Sequence, residues 1–298
     1  MNIIKKLPIP VSGLILASLS LGNLLQNIHP SLRFLFGAIG IIFLILILLK
    51  VVFYPQLIKD DFKNPVIASS SGTFSMSLMI LSTYLMPFMP GISYTLWIIG
   101  IVLHILLIIY FTYHFIVHNF DISNVYPSYW IVYVGITMAA ITANVHGIND
   151  ADFIFFIIGF IGMLVSTPLV LYREFIYDKI PEMNRPLTCI FTALFSILIV
   201  GYVNSADIIS NEFLTVLYSI ASIFYIFAIY KLIRNIKIRF YPSFAAFTFP
   251  FVISALATKG VLGTLKIGLL NYVLALQTVI ATVLVVYVLI KYIKFLKK

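Results

Sequence analysis

Acidic residues are scarce in this chain, and a single cysteine, Cys189, stands among its 298 residues. One thiol inside an apolar run excludes a disulfide framework and any cysteine-based metal spacing. Charged residues of both signs make up only 10% of the chain, whereas 62% is hydrophobic and the mean hydropathy is +1.10. That is more apolar surface than one soluble core can hide, so a soluble single-domain protein is excluded. The ten Asp and Glu residues all fall in the polar breaks between apolar runs. Hydrolytic Ser-His-Asp or Cys-His sets therefore find no acid at membrane depth, and neither an enzyme activity nor a cofactor is expected.

What the chain does have is a series of apolar stretches of about 17 to 25 residues, each long enough to cross the roughly 30 Å hydrocarbon layer as a helix. The breaks place ten spans near residues 9 to 26, 34 to 53, 66 to 87, 92 to 117, 127 to 145, 153 to 172, 186 to 203, 213 to 233, 243 to 258 and 268 to 293. Residues 1–298 thus read as one all-α transmembrane domain. The first run follows Lys5 and Lys6, but Pro10 opens it, Gly13 and Gly22 interrupt it and no small-residue cleavage site follows. It reads as a span, not as a signal peptide.

The 19 Lys and Arg leave a net charge of +9. In a soluble protein that balance points to nucleic acid, but these residues sit in the connections and read as topology signals. Ten spans put 16 of the 19 on one side and only Arg33, Lys259 and Lys266 on the other. The positive-inside rule then predicts a multi-pass protein of the cell membrane (plasma or inner) with both termini cytoplasmic.

Each odd-numbered span opens with a proline: Pro10, Pro65, Pro127, Pro186 and Pro242, separated by 55, 62, 59 and 56 residues. Proline suits a first helical turn, where its missing N–H has no intrahelical partner to lose. The pattern predicts five helical hairpins. Small and hydroxyl residues follow the same alternation: Ser12, Gly13, Ser18 and Ser20 in the first span, Ser69 to Gly72, Ser75 and Ser77 in the third, and Ser243 and Thr248 in the ninth. The even spans are dominated by Ile, Leu, Phe and Val, which tolerate lipid, whereas small residues permit close backbone approach. An inner ring of five odd helices around a central passage is the expected packing. All five helix N-termini would point toward the basic mouth, a setting that attracts small anions.

His104 is the ionisable residue deepest inside a span and is expected between helices, hydrogen-bonded, with a proton relay as the alternative. His114 and His118 have the i, i+4 spacing of paired metal ligands but no Glu of an H-E-x-x-H motif, so they read as an interfacial pair, with a metal or haem site as the alternative. The segment Phe247-Thr248-Phe249-Pro250 places an interior proline, expected to bend the helix, beside two aromatics about 200° apart. Spacing leaves open which phenylalanine faces the passage.

Four segments carry a resemblance: Asn64-Pro-Val-Ile-Ala-Ser-Ser-Ser-Gly-Thr-Phe74, Tyr126-Pro-Ser-Tyr-Trp-Ile-Val-Tyr-Val-Gly135, Arg185-Pro186 and Phe244-Ala-Ala-Phe-Thr-Phe-Pro250. The chain resembles the tellurite-resistance/dicarboxylate transporter family, with the plant slow anion channels, fungal malate permeases and sulfite efflux proteins. The resemblance implies ten helices as five hairpins in pseudo-fivefold arrangement, a pore inside each protomer, and a homotrimer. It also implies that the occluding phenylalanine is Phe249, with Phe247 packed outward. Lining around that gate is then expected from Ser12, Gly13, Ser70, Gly72, Gly135, Thr192 and Thr248. No Arg among them forms a bidentate clamp for dicarboxylates. The preferred expectation is an anion channel or facilitative transporter for halide, nitrate, C4-dicarboxylate or oxyanion. Its rivals are a proton-coupled dicarboxylate carrier using His104 and a metal or haem protein using His114 and His118.

Overall fold

The computed structural model describes residues 2–148, 152–177 and 179–297. Asp150, Asp178 and Lys298, which count among the connection and terminal charges above, lie outside the described residues. Ten helical segments are labelled in chain order: α1 (Ile9–Leu25), α2 (Pro30–Phe53), α3 (Pro65–Leu85), α4 (Pro90–His118), α5 (Tyr129–Val134, resumed at Thr137–Ala143), α6 (Asp152–Tyr177), α7 (Glu182–Ser205), α8 (Asn211–Asn235), α9 (Pro242–Leu265) and α10 (Leu270–Lys297). Among the described residues, eight of these, all but α1 and α5, are long and apolar enough to cross a membrane. Two short helices, Asn2–Lys6 and Pro55–Asp61, lie between them and the chain start or the α2–α3 connection.

The even segments run as regular helices, α4 and α6 ending in π-helical turns at Thr112–His118 and Arg173–Tyr177. The odd segments do not, although, apart from the bend expected at Pro250, each reads from the sequence as one continuous helix. α1 begins as a 3₁₀ turn, Ile9–Val11, and becomes α-helical at Ser12. α3 breaks at Ser71, α5 at Gly135 and Ile136, and α7 runs as a 3₁₀ helix from Glu182 to Ile190 before turning α-helical. α9 begins as the 3₁₀ helix Pro242–Phe247, breaks at Thr248 (φ −111°, ψ −85°) and resumes at Phe249.

Hydroxyl side chains account for four of these irregularities. Ser12 donates to the Ile9 carbonyl at 2.9 Å, Ser71 to Ala68 at 2.7 Å, Thr188 to Arg185 at 2.8 Å and Thr248 to Ala245 at 2.6 Å. Each bond reaches three residues back, the spacing of a tight 3₁₀ turn, and competes with the regular helical ladder.

Three proline and charge expectations change accordingly. Pro186 does not open α7, because Glu182 starts the 3₁₀ segment four residues earlier. Pro250 is not an interior kink: it sits in the first turn after the Thr248 break, where a missing N–H breaks no helical bond. The acids are not confined to loops. Asp61 lies on the short helix before α3, Asp152 in the first turn of α6, Glu174 in its last turns and Glu212 in the first turn of α8. All of these are helix ends.

Hydrogen bonds join the odd-segment starts to the even-segment ends. Lys50 at the end of α2 reaches the Leu7 carbonyl at 2.8 Å, and Tyr292 near the end of α10 reaches the Pro242 carbonyl at 2.5 Å. Ser69 of α3 donates to Ser128, just before α5, at 2.8 Å. At the opposite end, Arg33 of α2 donates to the Thr83 carbonyl at 2.9 Å and Ser93 of α4 to the Ser82 carbonyl at 2.7 Å. The layering is equally marked: 78, 94 and 78% of the apolar windows of α3, α7 and α9 are buried, against 39, 33, 28, 22 and 28% for α2, α4, α6, α8 and α10. Small residues permit the inner packing; a Cβ at Gly13 would stand only 3.1 Å from the Ala245 Cβ. On the outer helices Val52, Val165 and Ile226 remain about 70% exposed, an apolar surface suited to lipid.

Candidate functional site: a central passage

The irregular stretches of the odd segments meet. One cavity of about 60 Å³ is walled by Pro10 and Gly13 of α1, Ser70 and Thr73 of α3, Trp130 and Gly135 of α5, Ile190 and Ala193 of α7, and Ala245, Phe249 and Pro250 of α9. Non-helical backbone at membrane depth is tolerated where it is buried in protein or lines a cavity, so the breaks and the cavity explain each other. Phe249 is 6% exposed at this wall. Phe247 is fully buried and packs against Phe244 with ring centroids 4.9 Å apart.

A second cavity, of about 250 Å³, lies at the start of the odd segments and shares Pro10, Ser70, Leu187 and Ser243 with the first. Lys6, Lys50, Asp61 and Pro242 also line it. Lys50 is buried and its ammonium donates to the Leu7 carbonyl at 2.8 Å and to the Asp61 carboxylate at 3.2 Å. This wider cavity, with the Lys50–Asp61 pair in its wall, adjoins the narrow, mostly apolar chamber as a vestibule.

Residues 7–293 match the family model SLAC1, voltage-dependent anion channel. The chain belongs to the SLAC1 family. Its members are membrane-embedded anion channels and transporters, not enzymes, and this one is accordingly a multi-pass membrane protein of that transport class. No curated protein matches the chain.

In this SLAC1-family protein the residues singled out from the sequence fall into two groups. Pro10, Gly13, Ser70, Gly135, Phe249 and Pro250 line the chamber, and Pro242 lines the vestibule. Ser12, Gly72, Thr192 and Thr248 stand in helix–helix contacts outside the chamber lining. Ser12 accepts from Thr73 at 2.7 Å, and Thr192 exchanges a hydrogen bond with Ser254 at 2.7 Å. Gly72 lies where a Cβ would press on Ile131 and Leu107. Thr248 donates to the Ala245 carbonyl and stands 3.4 Å from that of Gly13. Pro65 opens α3 behind Asn64, whose Oδ1 accepts from the Val66 and Ile67 N–H groups at 2.9 and 3.2 Å. Those first-turn donors are thereby spent on the cap, which weakens that helix start as an anion attractor. Pro127 and Pro186 lie outside both linings.

His104 is fully buried between α3 and α5, 2.7 Å from Ser75 Oγ and 3.1 Å from the Val132 carbonyl oxygen. His114 and His118 lie in the π-helical turn ending α4, where the regular i, i+4 register is lost. Their Nδ1 atoms bond the Tyr110 and Tyr113 carbonyls at 3.0 and 3.1 Å, and their rings lie on Tyr110 and Tyr113. Among the described residues no three His, Cys, Asp or Glu side chains group as a metal site. Sequence reasoning passed over Trp130, Thr73 and Met76, which line the chamber. The signal for Trp130 was available: it is one of two tryptophans, and it sits in the small-residue class of helix.

Proposed function

We propose that the protein passes small anions through the chamber within each protomer, as a channel or facilitative transporter, with Phe249 as its gate. The supporting observation is the convergence of all five proline-associated segments, at their irregular turns, on one cavity that has Phe249 in its wall. A phenyl ring across a narrow apolar passage excludes ions because it offers neither hydration nor hydrogen bonds in exchange for the water they shed. The buried ammonium of Lys50 at the vestibule raises the local concentration of anions. The proposal includes a ten-span, five-hairpin arrangement with pseudo-fivefold symmetry, both termini on the cytoplasmic side of the cell membrane, and a homotrimer.

The test is ion-substituted conductance, chloride and malate against a sodium-only gradient, for the wild type and Phe249→Ala in one bilayer system. A large rise in anion current in Phe249→Ala supports the gated passage. Substrate exchange in vesicles without current in either protein would assign a carrier mechanism and remove the gate. Truncating a packed phenylalanine costs about 3–5 kcal/mol in soluble cores, so Phe249→Leu, which keeps more bulk, accompanies it.

A further inference from the structure

A concentration of positive charge lies apart from the chamber. A cavity of about 660 Å³ is formed where the α6–α7 connection, the 3₁₀ start of α7 and the last turns of α8 meet, and Lys179, Arg185, Lys231 and Arg234 all line it. Buried Thr188 and Asn235 complete its polar wall. It shares no lining residue with the chamber or the vestibule. Neither Asp nor Glu is among its described lining residues, and of the four cations only Lys231 forms an ion pair with a described carboxylate, that of Glu174 at 3.0 Å. Four like charges around one hollow repel one another, so the arrangement calls for an anion between them.

The cations are held in place from behind. Buried Arg173 donates to the Lys179 carbonyl at 3.2 Å and so fastens the connection that carries that lysine. The Glu174 side chain, only 2% exposed, anchors the Lys231 ammonium, which lies 5.1 Å from the centre of the Phe227 ring. The Arg234 guanidinium lies over the Tyr230 ring at 4.8 Å. Tyr230, which also lines the cavity, continues an exposed apolar stripe: Ile226, Tyr230 and Ile233 recur at i, i+4 and i+7 on α8. A surface suited to lipid therefore runs up to the basic cavity.

We propose that this cavity binds the phosphate headgroup of an anionic phospholipid, with Arg185 and Arg234 on the phosphate oxygens and the acyl chains along the α8 stripe. Guanidinium groups match phosphate oxygens two at a time, and a basic hollow between helix ends is where anionic headgroups lodge. A free phosphate offers the same oxygens without a tail, and the stripe reaching Tyr230 favours the lipid. The inference does not depend on the chamber being the anion passage; only the leaflet, cytoplasmic, follows from the orientation proposed above. Thr188 lies between Leu187 and Ile190, which line the chamber, so the lipid occupies a stretch of chain that also shapes the passage.

The test titrates delipidated protein in a neutral detergent with phosphatidylglycerol and follows the unfolding midpoint against the mole fraction of that lipid in the micelle. A saturable rise is expected, absent with phosphatidylcholine, whose headgroup has no net charge, and with sodium phosphate at the same ionic strength. Arg185→Gln/Arg234→Gln, both at exposed side chains, should raise the half-saturating mole fraction about tenfold or more. Lys59→Gln/Lys294→Gln removes two exposed cations elsewhere and should leave it nearly unchanged. Lys231 is spared because it neutralises the buried Glu174. Should the arginine variant fail to fold, Lys179→Gln, on the connection, takes its place with an expected weakening of about threefold or more. No rise with phosphatidylglycerol, or equal weakening by the two double variants, overturns the proposal, the second assigning the response to net charge. An equal rise with phosphatidylcholine overturns it in favour of the acyl chains alone. A rise with sodium phosphate that phosphatidylglycerol does not extend overturns the lipid and makes free phosphate the ligand. None of these readouts involves conduction, so the gated passage stands or falls separately.

Discussion

His104 Nε2 lies 3.1 Å from the carbonyl oxygen of Val132, three residues before the break in α5. Since a carbonyl can only accept, the ring is protonated on Nε2 and Nδ1 faces the Ser75 hydroxyl at 2.7 Å. The histidine thereby clamps α4 to α3 and α5 where α5 loses its helical ladder, and both nitrogens are occupied. His104→Ala should lower the unfolding midpoint in detergent, at a cost of about 1–3 kcal/mol for the exposed partners. His104→Gln should recover much of that loss, and neither should abolish anion flux or alter its dependence on pH. Loss of flux in a folded His104→Gln protein would instead give the ring a role in transport.

Asp61 partly neutralises Lys50 at the vestibule. Asp61→Asn removes one negative charge from the approach of an anion. At about 10 Å in water one unit charge is worth about 0.4 kcal/mol, so anion flux at low salt should rise about twofold. The gain should vanish near 1 M salt, where the screening length falls to about 3 Å. Flux measured across that salt series decides it, and a gain that persists at high salt would point to altered structure.

Much of this arrangement is legible from residues such as Pro10, Pro65 and Pro242, because proline tolerates so few positions in a helix that its recurrence marks segment starts. The apolar bulk of α2 and α10 reads as an outward face for the same reason: it needs no partner but lipid. What the chain did not show was the breaks. Ser71 and Ile190 belong to no breaker class, and their departures from helix arise from i−3 hydroxyl bonds and from packing against neighbours. The lining was likewise only half legible. A serine at Ser12 and one at Ser70 look alike in sequence, yet one bonds Thr73 between helices and the other lines the cavity. Which way a helix face turns is a tertiary property.

The connection before α5 has an acid-sensitive fastening. The Asp121 carboxylate accepts from the Ser123 hydroxyl at 2.6 Å, the Ser123 N–H at 2.8 Å and the Asn124 amide at 3.1 Å. The Ser123 hydroxyl and N–H hold its acidity below the usual carboxylate range. A depressed folded value means the contribution is present above the ordinary carboxylate pKa, near 4, and is lost as pH falls through the lower folded value. The protection factors of the Ser123 and Asn124 amides, taken against the intrinsic exchange rate at each pH, should therefore fall in acid. Asp121→Asn should bring that low protection to neutral pH; protection unchanged by the substitution would mean the turn is held without the carboxylate.

Gly135 marks the tightest of the breaks. A Cβ there would overlap the Ile131 carbonyl, reach within 2.7 Å of His104 Cε1 and come within 2.9 Å of Met76 Sδ. The first of these is backbone, which cannot swing aside as a side chain end can. Gly135→Ala should therefore destabilise the protein despite alanine's better helix propensity, by about 1–3 kcal/mol as overpacking does elsewhere. Gly263, on the last turns of α9, is the control, since a Cβ there meets nothing within 4 Å. Gly263→Ala should be neutral or stabilising by up to about 1 kcal/mol. In one detergent the unfolding midpoint should fall for Gly135→Ala and stay or rise for Gly263→Ala. If Gly135→Ala is tolerated, the α5 break must be able to heal into continuous helix, and the chamber wall it forms would be soft rather than preset.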